Sequence, residues 1–82
     1  KMIEVARLYR FENDGHLKAF ADVIFNSQLL VKGVRVADGR NGLYVSMPSA
    51  QGKDGKWYPT VMLLEDSLKE ELQTTVLEAY NV

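Results

Sequence analysis

His16 is the only histidine in this 82-residue chain, and there is no cysteine. Zinc sites draw on Cys and His ligands, so one histidine alone supplies too few, and a lone histidine in a turn reads as a solvated side chain. The missing cysteines also exclude disulfides and thiolate nucleophiles. Ser46 and Ser49 have no histidine or lysine placed in a motif that would activate a hydroxyl. Acid–base catalysis needs carboxylates facing one pocket, whereas Glu65-Asp66 and Glu70-Glu71 are neighbours along a predicted helix and point apart. They fit a helix start, where the dipole favours negative charge. Neither GxGxxG nor GxxxxGK(S/T) occurs, which leaves Gly39, Gly42, Gly52 and Gly55 as turn residues rather than a phosphate cradle. No catalytic constellation, metal site, cofactor site or small-molecule pocket is announced. The chain is expected to bind rather than catalyse.

Binding chemistry falls to the cations. Arg7 and Arg10 lie in the first predicted strand, Lys18 in the second, and Lys32 and Arg35 in the third. Arg40, Lys53 and Lys56 fall in turns or a loop. Basic side chains contact phosphate and aromatic rings stack on bases, so the loop cations flanked by Tyr44, Trp57 and Tyr58 make a candidate nucleic-acid patch. The alternative is scattered solubilising charge. Trp57 and Tyr58 are assigned first to the core or a subunit interface, where large aromatics contribute most area. The net charge of −1 lacks the basic surplus of a typical phosphate binder. A usable patch must therefore be local, or be assembled from two copies.

The elements that position these residues are strands first and a helix last. Met2 to Phe11 and Leu17 to Phe25 are rich in β-branched and aromatic residues. Between them Asp14-Gly15 predicts a tight hairpin turn with positive φ. Leu17, Ala19, Ala21, Val23 and Phe25 alternate onto one face. A third strand, Leu29 to Ala37, carries Gly33 as a bulge signal. A fourth, Leu43 to Met47, is stopped by Pro48. Ser49 to Lys56 reads as a mobile polar loop, and Trp57 to Leu64 as a fifth strand weakened by Pro59. Asp66 to Tyr80 predicts a helix, with Ser67 and Glu70 at capping-box spacing and Leu68, Leu72, Val76 and Tyr80 on one apolar stripe.

Length allows one domain, residues 1–82. The apolar content of 46% and charged content of 26% are those of a globular chain. No apolar run approaches the roughly 20 residues that span a bilayer, and no signal-peptide pattern is visible, so a cytoplasmic protein without membrane contact is expected. Five strands about 4.8 Å apart make a sheet roughly 24 Å wide, which a single helix cannot cover. A second copy of the chain is the simplest cover. The expected architecture is a homodimeric α+β fold, an antiparallel sheet of about five strands with a C-terminal helix.

The run from Val34 to Ser49 (VRVADGRNGLYVSMPS) resembles the signature of the SpoVG family of bacterial septation and stage V sporulation regulators. That family carries R-V-x-(D/E)-G-x-x-G-L-F-V-x-M-P-S. The likeness extends back through Arg7-Leu8, Arg10, Asp14-Gly15 and Ala19, and forward through Asp54-Gly55 to the helix. It implies a small α+β homodimer that regulates cell division or sporulation by binding DNA and RNA. Within the motif Arg35, Asp38, Gly39, Gly42, Leu43, Val45, Met47 and Pro48 are read as structural: glycines for the turn, alternating apolar residues for the core, proline to end the strand. The chain departs from the family at Ala50-Gln51, where a Lys-Arg pair is common, and at Met62-Leu63, where the family has His-Pro. Lys69 falls at an often basic position, but Glu71 replaces a typical lysine. Arg40, Lys53, Lys56 and Lys69 are thus the candidate nucleic-acid contacts. The competing reading is a module that binds a division or regulatory protein and no nucleic acid.

Overall fold

The computed structural model describes residues 2–82. Strands β1 (Ile3–Arg10), β2 (Leu17–Phe25), β3 (Leu29–Gly39) and β4 (Gly42–Ser46) are followed by short strands β5 (Ser49–Gln51) and β6 (Trp57–Pro59) and by helix α1 (Asp66–Tyr80). β1 to β4 form one antiparallel sheet in chain order, and β5 pairs with β6 in a separate ladder. The expected α+β architecture with a C-terminal helix holds, but the main sheet has four strands rather than five. Pro48 has no N–H to continue a ladder, and past it the chain pairs with β6 alone. Ser49–Lys56 is therefore a hairpin arm and its turn, not an unstructured loop. Past Pro59, Val61 and Leu63 still pack against the core while Met62 and Leu64 face outward. The fifth strand expected over Trp57 to Leu64 therefore stops at Pro59, because no partner strand lies beside residues 60–64 among the described residues. Instead Thr60 donates its N–H and its hydroxyl to Pro48 O, at 2.9 and 3.1 Å.

The core lies between one face of the four-stranded sheet and α1. Ile3, Ala19, Ala21, Val23, Val31, Val34, Val36 and Val45 meet Leu72 and Val76, all buried. Each Val or Leu so enclosed is worth about 1.5–3 kcal/mol of transfer free energy. The helix lies closest to the edge strands β1 and β4, and Ala19 and Ala21 fill the middle of the sheet beneath it with small side chains. Leu17, expected beside them, is displaced: the register shifts by one residue at Lys18 and pairs Leu17 with Ala37, whose β4 partner is the exposed Tyr44. The bulge expected at Gly33 is present. Val31 and Val34, three apart, face Val23 and Ala21, two apart, and Gly33 takes φ +82°.

The turns follow their residues. Asn26 and Ser27 both adopt left-handed backbone, φ 54° and 55°, and Gln28 N donates to Phe25 O at 3.0 Å, the geometry of a type I′ hairpin turn. Gly15 has no positive φ. The β1–β2 connection is instead an Asx turn, with Gly15 N donating to Asn13 Oδ1 at 2.8 Å. The helix has the expected bounds, but its capping box does not form. It starts at Asp66, so Glu65 rather than Ser67 stands at the N-cap, without a side-chain cap bond. The C-terminal end, which has no basic residue in its last turn, is held from β1. Arg10 Nη2 donates to Ala79 O and Tyr80 O, at 3.1 and 2.7 Å, with the guanidinium 5.5 Å from the Tyr80 ring centroid.

Candidate nucleic-acid interface

The sheet face opposite α1 is built by the same alternation that fills the core. Tyr9 pairs with Phe20, Phe20 with Arg35, and Arg35 with Ser46, so one row crosses all four strands on the helix-free side. Arg35 is its centre. The chain doubles back through β5 and β6 and brings Trp57 over this row. The Arg35 guanidinium carbon then lies 6.0 Å from the Phe20 ring centroid and 5.9 Å from that of Trp57. Phe11 abuts Phe20 edge-on, with centroids 5.2 Å apart. A cation against aromatic faces gains about 0.5–2 kcal/mol per ring, most where water is excluded. Arg35 Nε is buried and has no hydrogen-bond partner, and no ion pair neutralises the side chain among the described residues. A buried donor left unpaired is uncommon.

Arg35 was read from the sequence as a structural motif residue. The structure makes it the central cation of an aromatic cluster. Trp57 and Tyr58, assigned to a core or an interface, are 61% and 50% exposed, which rules out the core. The remaining motif residues are architectural. Leu43, Val45 and Met47 point to the core. Gly42 takes φ +109° after the turn. A Cβ on Gly39 would come within 2.9 Å of the Tyr44 ring. Pro48 accepts the Thr60 bonds described above, and Asp38 N donates to His16 O at 2.8 Å. His16 is exposed, as expected, with Nδ1 3.2 Å from Asp38 O.

The four predicted contacts do not form one cluster on one element. Lys53 and Lys56 share the β5–β6 turn, Arg40 sits in the β3–β4 turn, and all three are exposed. The β5–β6 turn is ordered by Asp54, which accepts from Lys56 N at 3.0 Å and from the Tyr58 hydroxyl. These bonds hold the Asp54 carboxyl below its ordinary range, the Tyr58 bond foremost, and the same bond pushes the Tyr58 hydroxyl up. Lys69 stands apart on α1, 3.7 Å from Asp66, at the rim of an apolar groove of about 280 Å³ lined by Val45, Met47, Val61, Met62 and Leu72 among others.

Charge is segregated along the chain. Residues 65–82 carry Glu65, Asp66, Glu70, Glu71 and Glu78 against Lys69 alone, a net −4, whereas residues 1–64 carry nine cations and six anions, a net +3. The helical segment is acidic and the strand-bearing segment basic. The chain's overall −1 conceals this polarity.

These features define a small α+β protein with one helix on a four-stranded antiparallel sheet, an acidic side, and an opposite face where aromatic rings surround a cation. The chain belongs to the SpoVG family, whose sequence model matches residues 1–82. It is 36% identical over 78 residues to a protein of Archaeoglobus fulgidus named as a septation protein, SpoVG, covering 95% of this chain and 92% of that one. A second such protein, SpoVG 2 of Listeria monocytogenes serotype 4b, is 36% identical over 74 residues, 90% of this chain and 72% of its own. A third, from Brevibacillus brevis, is 35% identical over 75 residues, 92% and 79%.

Proposed function

We propose that this chain is a non-enzymatic regulator of septation that binds nucleic acid as a homodimer. The observation that carries the reading is the charge segregation. A net +3 on the strand-bearing part gives phosphates a favourable surface, while the acidic helix turns them away from the other side. Aromatic rings among the cations add a base-stacking surface. Homodimerisation is supported by the segment that leads into the helix, where Met62, in the wall of the apolar groove, is 66% exposed and Leu64 is 86% exposed. A two-fold interface needs knob and hole on one patch, and this patch holds both. Filter binding or anisotropy with DNA and RNA across about 50–200 mM salt tests the first half, expecting affinity that falls steeply with salt. Light scattering of the wild-type chain and of Leu64→Glu tests the second, expecting a dimer that the variant dissociates.

The same acidic helix favours a second reading, in which the chain docks on a basic segment of a partner protein. Absence of nucleic-acid binding even at about 50 mM salt selects it.

A further inference from the structure

The helix-free face limits which form of nucleic acid can dock there. Its exposed rings are Tyr9 and Tyr44 on the sheet and Trp57 on β6, at 47%, 47% and 61%, and a ring can stack on a base only where that base is unpaired. A duplex hides the faces of its bases and is commonly read by inserting a helix or a two-stranded ribbon into the major groove. The one helix among the described residues lies on the other side and carries net −4 with its flanks. It would meet two rows of phosphates with like charge.

Arg35 supplies the second, independent observation. Its guanidinium carbon lies 6.0 and 5.9 Å from the Phe20 and Trp57 ring centroids. The half-buried side chain has no ion-pair partner among the described residues, and guanidinium donors match phosphate geometry. Arg7, Lys18 and Lys32 bring further positive charge from β1, β2 and β3, against Glu4, Asp22 and Asp38 on the same strands.

We propose that the helix-free face binds single-stranded nucleic acid, with bases stacked on Trp57 and Tyr44 and a phosphate held by Arg35. This deepens the nucleic-acid reading above and rests on it. Trp57 is the only tryptophan in the chain, so its emission reports on the site directly. The experiment titrates the protein with labelled dT and U strands of about 12 nucleotides and with a duplex of the same length, at about 50 mM salt. Trp57 emission and strand anisotropy are both recorded.

The expected result is quenching of Trp57 by both single strands, with affinity about tenfold above that for the duplex. Trp57→Ala lowers single-strand affinity about tenfold and Trp57→Phe much less, because a ring is retained. Trp57 is largely exposed, so its replacement leaves the core intact. Arg35→Gln lowers affinity similarly, and far-UV circular dichroism checks that variant's fold. Equal duplex affinity without quenching, or full single-strand affinity in Trp57→Ala, overturns the placement and leaves nucleic-acid binding standing. Failure of every probe to bind overturns both. Emission that changes with protein concentration and not with oligonucleotide assigns the face to subunit pairing and overturns the placement as well.

Discussion

Gln73 and Val45 bond to each other as two strands would. Val45 N donates to Gln73 Oε1 at 2.9 Å, and Gln73 Nε2 donates to Val45 O at 2.7 Å. Val45 lies on β4, an edge of the sheet, so one helical side chain satisfies both backbone groups that an edge strand leaves open. The opposite edge is treated alike, with Ile3 N donating to Glu71 Oε2 at 3.0 Å. Glu71 and Gln73 thus clamp the two edges from one helix.

Removing the amide strands two backbone groups of a buried residue. Gln73→Ala is expected to cost on the order of 2 kcal/mol, read as a lower urea midpoint with an unchanged slope. Gln73→Glu keeps an acceptor for Val45 N but sets a carboxylate against Val45 O. That variant should be weak at neutral pH and recover as acid restores a proton that can be donated. Equal stability of Gln73→Ala and wild type would show that water replaces the clamp at no cost.

The β2–β3 turn holds a removable strain. Ser27 sits at φ 55°, where an L-residue with a Cβ is disfavoured by about 1 kcal/mol, and Asn-Gly is the preferred pair for this turn. Ser27→Gly should stabilise the chain by about 0.5 kcal/mol after the added unfolded-state entropy of glycine. In a chain of this size that is a rise of roughly 2–4 °C in Tm, measurable by thermal denaturation. A fall in Tm would mean the serine is held by something other than backbone geometry.

Much of this fold is legible because its cues are local. Alternation along β2, the glycine at position 33 and the stripe of Leu68, Leu72 and Val76 each act within a few residues. β5 escaped because a strand of three residues has no period to detect and its turn reads equally well as a loop. β6 falls within the expected fifth strand, but its pairing with β5 instead of the main sheet was not legible. The capping box failed for a related reason: the residue spacing was present, but the helix begins one residue before the serine that would have capped it. The candidate site was legible as a set of cations and illegible as an arrangement. Phe20 and Trp57 are 15 and 22 residues from Arg35, and only strand register and the fold-back after Pro48 bring them together. The charge polarity is visible in the sequence once the helix is known to pack on one face.

The Asp54–Tyr58 bond makes the β5–β6 turn sensitive to pH at both ends. Asp54 is held below its ordinary range, so its contribution is present above the unfolded value, about 4, and is lost as pH falls through the folded value. Tyr58 is pushed up, so its contribution is present below about 10 and is lost as pH rises through the folded value. Backbone amide shifts of residues 52–58 should stay constant between these limits and move together beyond either one. Tyr58→Phe should abolish the alkaline transition and return Asp54 toward the ordinary carboxylate range. Unchanged Asp54 titration in that variant would place the cause in the Lys56 N–H bond instead.

Lys69 is the candidate contact the structure supports least, which separates it experimentally from the others. It faces Asp66 at 3.7 Å on a segment of net −4, so a phosphate approaching it meets repulsion from the rest of the helix. Lys53 and Lys56 extend from the basic part of the chain, in the turn beside the strand that carries Trp57. Each lysine that contacts phosphate adds about one to the slope of log affinity against log salt. Lys53→Ala and Lys56→Ala should therefore weaken binding and flatten that slope by about one each, while Lys69→Ala leaves the slope unchanged. Charge reversal at Glu70 and Glu71 to lysine should create a new, helix-side phosphate contact and steepen the slope. If Lys69→Ala flattens the slope as much as Lys53→Ala does, phosphate reaches the helix despite its acids, and the division of the surface into a binding side and a repelling side is wrong.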